Sequence, residues 1–197
     1  MGQSNINLAA LIGSRICHDL ISPIGAINNG LELLGMSDTH EGPELELISE
    51  SVGNASARIR FFRVAYGAAS DQSLGRAEVV AILNDCMQGG RLQVAYGPLD
   101  AQPRWAVRMA FLAVQCLETS LPYGGRIEVG CTNGGWDITG HSAKQSVDPT
   151  LWGLLNGEEV EDLAPAHVQF ALLPSVAADA GRTLATDLTP DSLSIRF

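Results

Sequence analysis

The chain has 197 residues and a net charge of −10, and 46% of its residues are hydrophobic against 17% that are charged. This composition predicts a sizeable buried core, in one large domain or in a small helical module followed by a domain of about 100 to 150 residues. The acidic balance argues against nucleic acid and against an anionic membrane as partners, because both require clustered positive charge.

Neither a signal peptide nor a membrane span is expected. No basic segment precedes an apolar run at the N-terminus, and no apolar run approaches the roughly 20 residues that cross a bilayer. The four cysteines show no C-x-x-C spacing, so free thiols are expected rather than a metal site; they are Cys17, Cys86, Cys116 and Cys131. We therefore predict a cytoplasmic protein.

The first predicted element is a long helix over about residues 7–34. Pro23 lies inside it and is expected to remove one backbone hydrogen bond and to bend the helix. A polar turn over residues 36–42 follows. The apolar residues recur at steps of three or four and so share one helix face; they are Ile12, Ile16, Leu20, Ile24, Ile27, Leu31 and Leu34.

A second helix is predicted over residues 44–66, antiparallel to the first because the turn is short. Such a hairpin has more apolar surface than its own contact covers, so we predict a homodimer with a four-helix bundle. The alternative is that the hairpin packs onto its own C-terminal domain. The helix carries a heptad seam at Leu45, Ile48, Val52, Ala55, Ile59, Phe62 and Tyr66.

The glycine-flanked segment 67–75 predicts a domain boundary, which divides the chain into residues 1–70 and 71–197. The second part alternates helices and strands, and the order predicts a two-layer α/β sandwich, so the whole chain is α+β. Helices are predicted at 77–88, 104–119, 149–155 and 166–180, with a kink at Pro174, and strands at 91–96, 126–131, 136–139, 183–188 and 193–196.

The string CHDLISPIGAINNGLELL, from Cys17 to Leu34, stands out inside the first helix. His18 lies on a polar or small face opposite the apolar one, so we expect its ring to point to solvent. Gly25 costs the helix about 1 kcal/mol relative to alanine but removes bulk beside the histidine. The other residues on this face are Ser14, Arg15, Ser22 and Asn29.

The residue types around His18 suit phosphoryl transfer. An acceptor beside Nδ1–H holds the proton there and leaves the Nε2 lone pair free for in-line attack on phosphorus. Arg15 lies one turn earlier and is expected to stabilise phosphoryl charge or to pair with an acidic pocket of a partner. We predict His18 and Asp19 as the catalytic pair, and partner binding at Ser14, Arg15, Ile21, Ser22, Gly25 and Asn29.

The His-acid-apolar-x-x-Pro string resembles the phospho-acceptor box of two-component sensor kinases. With its INNGLELL continuation it is similar to the ChpT family of alphaproteobacterial histidine phosphotransferases, and the similarity extends to the final Ala180–Leu184 segment. The resemblance implies that Asp19 orients and polarises the ring and that Ser22 lies where the kinases carry a Thr or Asn that positions a water for dephosphorylation. It also implies a C-terminal domain like the ATPase domain of those kinases.

The resemblance further implies the partners. The donor is the receiver domain of a hybrid histidine kinase, and the acceptors are response-regulator receiver domains, including a master cell-cycle transcription regulator and a small regulator of proteolysis. The chain needs no cofactor of its own, since the receivers supply the Mg²⁺.

Three motifs that a working kinase of this superfamily needs are missing. The helix before PYGGRIEV has no asparagine, and Cys116 stands near the position of the magnesium ligand, where a thiol is a poor substitute for oxygen. The segment 138–144 lacks the adenine-binding aspartate, and Gly153 and Gly157 do not form a phosphate lid. We therefore predict a phosphotransferase without ATP-dependent kinase activity; the alternatives are an active histidine kinase and a non-catalytic scaffold for response regulators.

Overall fold

A computed structural model of the chain describes residues 7–36, 42–68 and 72–197. The chain opens with two long helices, α1 (Leu8–Met36) and α2 (Pro43–Ala65). The predicted turn at 36–42 lies almost wholly outside the described residues, as does the middle of the predicted boundary segment 67–75. Within the described ranges no helix is both long and apolar enough to cross a bilayer.

Local sequence explains where the two helices begin. The Asn7 side chain accepts a hydrogen bond of 3.1 Å from the amide of Ala10, which caps the first turn of α1. Pro43 occupies the first turn of α2, where a missing N–H costs no helical hydrogen bond. α1 continues through Pro23 as one helix, so the proline is accommodated without ending it.

A glycine sets the distance between the two helices. A Cβ built on Gly30 would lie 2.5 Å from Cγ1 of Ile48 and 3.3 Å from the carbonyl oxygen of Glu44. The helices therefore lie close together at Gly30, and a side chain at this position would require Ile48 to move. At Gly25, by contrast, an added Cβ meets no atom within 4 Å.

The C-terminal region is a five-stranded sheet with helices on one face. Its elements are β1 (Ser73–Leu74), α3 (Arg76–Met87), β2 (Leu92–Tyr96), β3 (Gln102–Pro103), α4 (Arg104–Ser120), β4 (Gly125–Thr132), β5 (Gly135–His141), α5 (Pro149–Leu155), a 3₁₀ turn (Pro165–His167), α6 (Val168–Asp179), β6 (Ala185–Leu188) and β7 (Ser192–Arg196). The strand order in the sheet is β2-β4-β5-β7-β6, with β2 and β4 parallel and the remaining pairs antiparallel.

The predicted hairpin turn is confirmed. Asn133 and Gly134 both have positive φ, 52° and 78°, which is the conformation of a type I′ turn and suits the Asn-Gly pair. The two-residue pair of β1 and β3 was not predicted, because strands this short carry no periodic signal. The helix predicted over 166–180 is instead a 3₁₀ turn followed by α6, with Pro174 inside α6.

The core joins the end of α2 to the C-terminal sheet and helices. Phe61 stacks on Phe111 of α4 with ring centroids 4.7 Å apart, and Phe62, Val64 and Ala65 are also buried. The hairpin therefore packs onto its own C-terminal region at this end, as the alternative reading expected. The division of the chain at residue 70 stays a prediction.

The heptad seam of α2 is divided between two environments. Phe62, near its C-terminal end, is buried in the core. Leu45, Val52 and Ile59 remain exposed, by 47%, 47% and 52%. Ile48 belongs to neither group, since it faces Gly30 inside the hairpin.

Candidate functional site

The His18 side chain projects from the middle of α1 and is 81% exposed. Its Nδ1 lies 3.1 Å from Oδ1 of Asp19, the next residue in the chain. An ionised carboxylate has no proton to donate, so this hydrogen bond requires the proton on Nδ1. The arrangement leaves the Nε2 lone pair free and directed toward solvent.

Asp19 differs sharply from its neighbour, because its side chain is only 9% exposed. A carboxylate this far from water is stable only when it is paired. Its Oδ2 accepts a hydrogen bond of 2.8 Å from Nε of Arg15, one helical turn earlier, and lies 3.6 Å from Nη1 of Arg58 on α2. Asp19 is therefore held by cations from both helices of the hairpin.

Arg15 connects the hairpin to the C-terminal region. Its side chain is 16% exposed, and its Nη1 donates a hydrogen bond to the carbonyl oxygen of Ala166, in the 3₁₀ turn before α6. The helix periodicity placed Arg15 on the face that a partner approaches. In the structure its guanidinium donates hydrogen bonds to Asp19 and to the Ala166 carbonyl.

The remaining predicted partner-binding residues lie around the histidine on α1. Ile21, one turn after His18, is 69% exposed and presents a large apolar side chain to solvent. Gly25 is half-buried. The others are exposed; they are Ser14, Ser22 and Asn29.

A cleft of about 730 Å³ lies between the hairpin and the C-terminal ends of α3 and α4, and it opens beside Asp19. Ser22 and Arg58 line its hairpin side, and Cys86 and Glu118 line the opposite side. Burial raises the pKa of the Cys86 thiol to about 11, so this cysteine is protonated at neutral pH and is a poor nucleophile.

Glu118, near the end of α4, faces the same cleft. Solvent reaches its side chain through the cleft, while protein surrounds it on the other sides. Burial raises the pKa of Glu118, and Arg15 and Arg58 act in the opposite direction. The charged groups behind His18 thus include an acid from the C-terminal region as well as those of the hairpin.

The sequence interpretation missed Arg58 and Glu118. Neither lies near His18 in the chain, and neither belongs to a recognisable motif. Their approach to Asp19 depends on the register of the two helices and on how α4 packs against them, so no local pattern could have indicated it. Among the residues that the structure describes, no three His, Cys, Asp or Glu side chains cluster in a way that would hold a metal ion.

Comparisons with known proteins show which family this chain belongs to. The sequence model described as "Histidine phosphotransferase C-terminal domain" matches residues 76–192. The protein named "Protein phosphotransferase ChpT" from Brucella abortus (strain 2308) is 33% identical over 200 residues, which cover 96% of this chain and 94% of that protein. A solved structure described as a bacterial phosphotransferase superposes with a TM-score of 0.81 at 29% identity, and the match covers 100% of this chain and 98% of that one.

Proposed function

Because the chain belongs to the histidine phosphotransferase family and acts in a phosphorelay, we propose that His18 is the residue that accepts and returns the phosphoryl group. The observation that carries this assignment is the pairing of an exposed imidazole with a buried carboxylate, 3.1 Å from Nδ1. The exposure admits a partner to Nε2, and the carboxylate fixes the ring and its tautomer.

The proposed step is an in-line displacement at phosphorus. The Nε2 lone pair of His18 attacks the phosphorus of an aspartyl phosphate on a receiver domain, the N–P bond forms, and the P–O bond to the aspartate breaks. The aspartate leaves as a carboxylate, and the ring becomes a cation that keeps its Nδ1 proton. Asp19 stabilises that cation, as a carboxylate does for an imidazolium in general. Transfer to an acceptor is the reverse reaction.

The partners of this family are receiver domains. We propose that they dock over α1 at Ser14, Ile21, Ser22, Gly25 and Asn29, because these residues surround His18 and all except half-buried Gly25 are exposed. We expect the donor to be the receiver of a hybrid kinase in the cytoplasm, the acceptors to be response regulators of the cell cycle, and the receivers to hold the Mg²⁺.

We also propose that ATP is not a substrate. Cys116 of α4 is fully buried, and burial raises its pKa well above 9.0, so it offers no oxygen or thiolate to a magnesium ion. Trp152 of α5 packs against the same helix and donates a hydrogen bond of 2.9 Å to the Ser120 hydroxyl. Calorimetry with millimolar ATP and Mg²⁺ should show no saturable binding; micromolar binding would favour the active-kinase alternative.

The hairpin supports a homodimer. Ile24 and Leu31 on α1 are seven residues apart, and Leu45, Val52 and Ile59 on α2 repeat the same spacing, so each helix carries an exposed apolar stripe. Such a surface on a signalling hairpin fits a second copy and a four-helix bundle.

Ile59→Lys tests the dimer, because it places a charge in the exposed stripe without touching the core. Light scattering should show a homodimer for the wild type and a monomer for the variant at micromolar concentration. Asn54→Lys, on the cleft side of the same helix, should remain dimeric. A monomeric wild type would contradict the dimer.

The assignment of His18 is tested by incubating the protein with a receiver domain carrying labelled phosphate. His18→Ala should lose the label completely, while His141→Ala, which removes another exposed histidine, should accept it at the wild-type rate. The label on the wild type should be stable to alkali and labile to acid, as phosphoramidates are. Acceptance by His18→Ala would show that the acceptor is misassigned, and signalling without any transfer would favour a scaffold.

A further inference from the structure

Arg58 is the second cation on Asp19, and no motif or family resemblance assigns it a role. Its Nη1 lies 3.6 Å from Oδ2 of Asp19, and it reaches that atom from α2, whereas Arg15 reaches it from α1. Its side chain is 43% exposed. The contact joins α1 and α2 at Asp19, the residue that follows the histidine.

Two cations on one oxygen restrict the rotation of the Asp19 carboxylate. Oδ1 is the atom that meets Nδ1 of His18, and its position follows from where Oδ2 is held. Arg15 fixes Oδ2 from one side, and Arg58 approaches from the other helix. Without Arg58 the carboxylate has a single cationic neighbour and more freedom to turn away from the ring.

Arg58 also determines the net charge of the group that it forms with Asp19 and Arg15. Asp19 with Arg15 alone is neutral, and Arg58 gives the group of three a net charge of +1. A phosphoryl group carries negative charge throughout its transfer, so a fixed positive charge nearby favours the transition state. Glu118 lines the opposite side of the cleft and forms no ion pair with Arg15 or Arg58, both of which pair with Asp19.

We propose that Arg58 is a positioning residue for phosphoryl transfer, acting on His18 through Asp19. The inference rests on the proposed function, since it assumes that His18 carries the phosphoryl group. It assigns to α2 a part in chemistry that the sequence locates wholly on α1.

The cleft makes the proposal testable by chemical rescue. Arg58 lines a space of about 730 Å³ that is open to solvent, so a small guanidinium ion has room to replace its side chain. Arg15 is only 16% exposed and is enclosed by its contact with Ala166. Methylguanidinium should therefore reach the position vacated in Arg58→Ala but not the one vacated in Arg15→Ala.

The experiment measures transfer of phosphate from a labelled receiver domain at increasing receiver concentration. Arg58→Ala should lower the transfer rate at saturation by about fivefold to tenfold with an unchanged half-saturating concentration. Methylguanidinium should restore most of that rate in Arg58→Ala and none in Arg15→Ala. The matched control is Arg60→Ala, two residues further on α2, whose side chain is equally exposed at 43% and pairs with Asp85 at 2.7 Å; it should transfer at the wild-type rate.

Three results would overturn the inference: a wild-type rate for Arg58→Ala, a raised half-saturating concentration with an unchanged maximal rate, or an equal loss in Arg60→Ala. If Arg58→Ala does not fold, Arg58→Gln keeps most of the side-chain length without the charge, and the same outcomes apply to it. The proposed function fails separately, because it requires only that His18→Ala loses the label. A wild-type protein that labels at His18, with no effect at Arg58, removes this inference alone.

Discussion

The two helices of the hairpin and the C-terminal region bury their apolar residues to very different extents. In α4 the side chains from Ala106 to Leu117 are almost all buried, and twelve residues of that helix are buried in total. In α1 only Gly30 is buried among the residues whose exposure the structure describes. Of the eleven large hydrophobic side chains that are exposed in the described ranges, eight belong to α1 and α2.

The C-terminal region and the hairpin therefore have different roles, one in forming the core and the other in presenting an exposed surface. The C-terminal region buries most of its apolar residues in one core, to which the end of α2 also contributes. The hairpin joins that core at the end of α2, through Phe61 and its neighbours, and at the start of α1, through partly buried side chains that include Ile12 and Ile16. Eight of its large hydrophobic side chains remain exposed. A surface that binds partners and holds an exposed histidine has to remain accessible, and the cost is a less complete core.

Removing an aromatic ring from the core that α2 shares with the C-terminal region should have the greatest effect on stability. Phe111 is 1% exposed and stacks on Phe61 of α2. Phe111→Ala should lower the free energy of unfolding by about 3–5 kcal/mol, because it removes apolar contacts and leaves a cavity. Urea unfolding followed by circular dichroism measures the change. Leu99→Ala, at a side chain that is 79% exposed, should change stability by less than about 0.5 kcal/mol.

Two glycines of α1 should respond in opposite ways to substitution by alanine. Gly30→Ala forces a methyl group against Ile48 and should lower the free energy of unfolding by about 1–3 kcal/mol. Gly25→Ala meets no atom within 4 Å and should raise it by up to about 1 kcal/mol, because alanine favours the helix. Denaturant unfolding at one fixed protein concentration compares the pair. Equal effects of the two substitutions would show that the helices do not approach each other at Gly30.

Glu118, in the cleft between the two regions, should make a small contribution to the pH dependence of stability. Burial raises the pKa of Glu118 above its ordinary value of 4.5, so folding favours the protonated carboxyl. That contribution is complete below pH 4.5 and is lost as the pH rises through the raised pKa of the folded protein.

The amide introduced by Glu118→Gln is neutral at every pH, so the variant does not lose this stability as the pH rises. Its stability relative to wild type should therefore increase between about pH 4 and about pH 8, as measured by urea unfolding. Glu159→Gln, at an exposed acid of the C-terminal region, controls for the removal of one negative charge. A difference that falls with rising pH would contradict the raised pKa.

The helices and main strands, the Asn133-Gly134 turn and the contact of His18 with Asp19 could all be predicted from the amino-acid sequence. These features depend on neighbours within a few residues, where helical and strand periodicity act directly. The same periodicity correctly placed His18 on a solvent-facing surface of α1.

The arginines that contact Asp19, by contrast, could be identified only from the folded structure. Arg15 shares a helix face with His18, yet it turns toward Asp19 and Ala166 because a buried carboxylate and a carbonyl accept its hydrogen bonds. Arg58 lies 39 residues from Asp19 in the chain, and their 3.6 Å separation depends on how α1 and α2 pack side by side. The heptad residues of α2 likewise change from exposed to buried between Ile59 and Phe62, where the helix meets the core. Periodicity fixes the face of a helix on which a residue lies, but contacts between distant segments depend on packing and register, which no local pattern encodes.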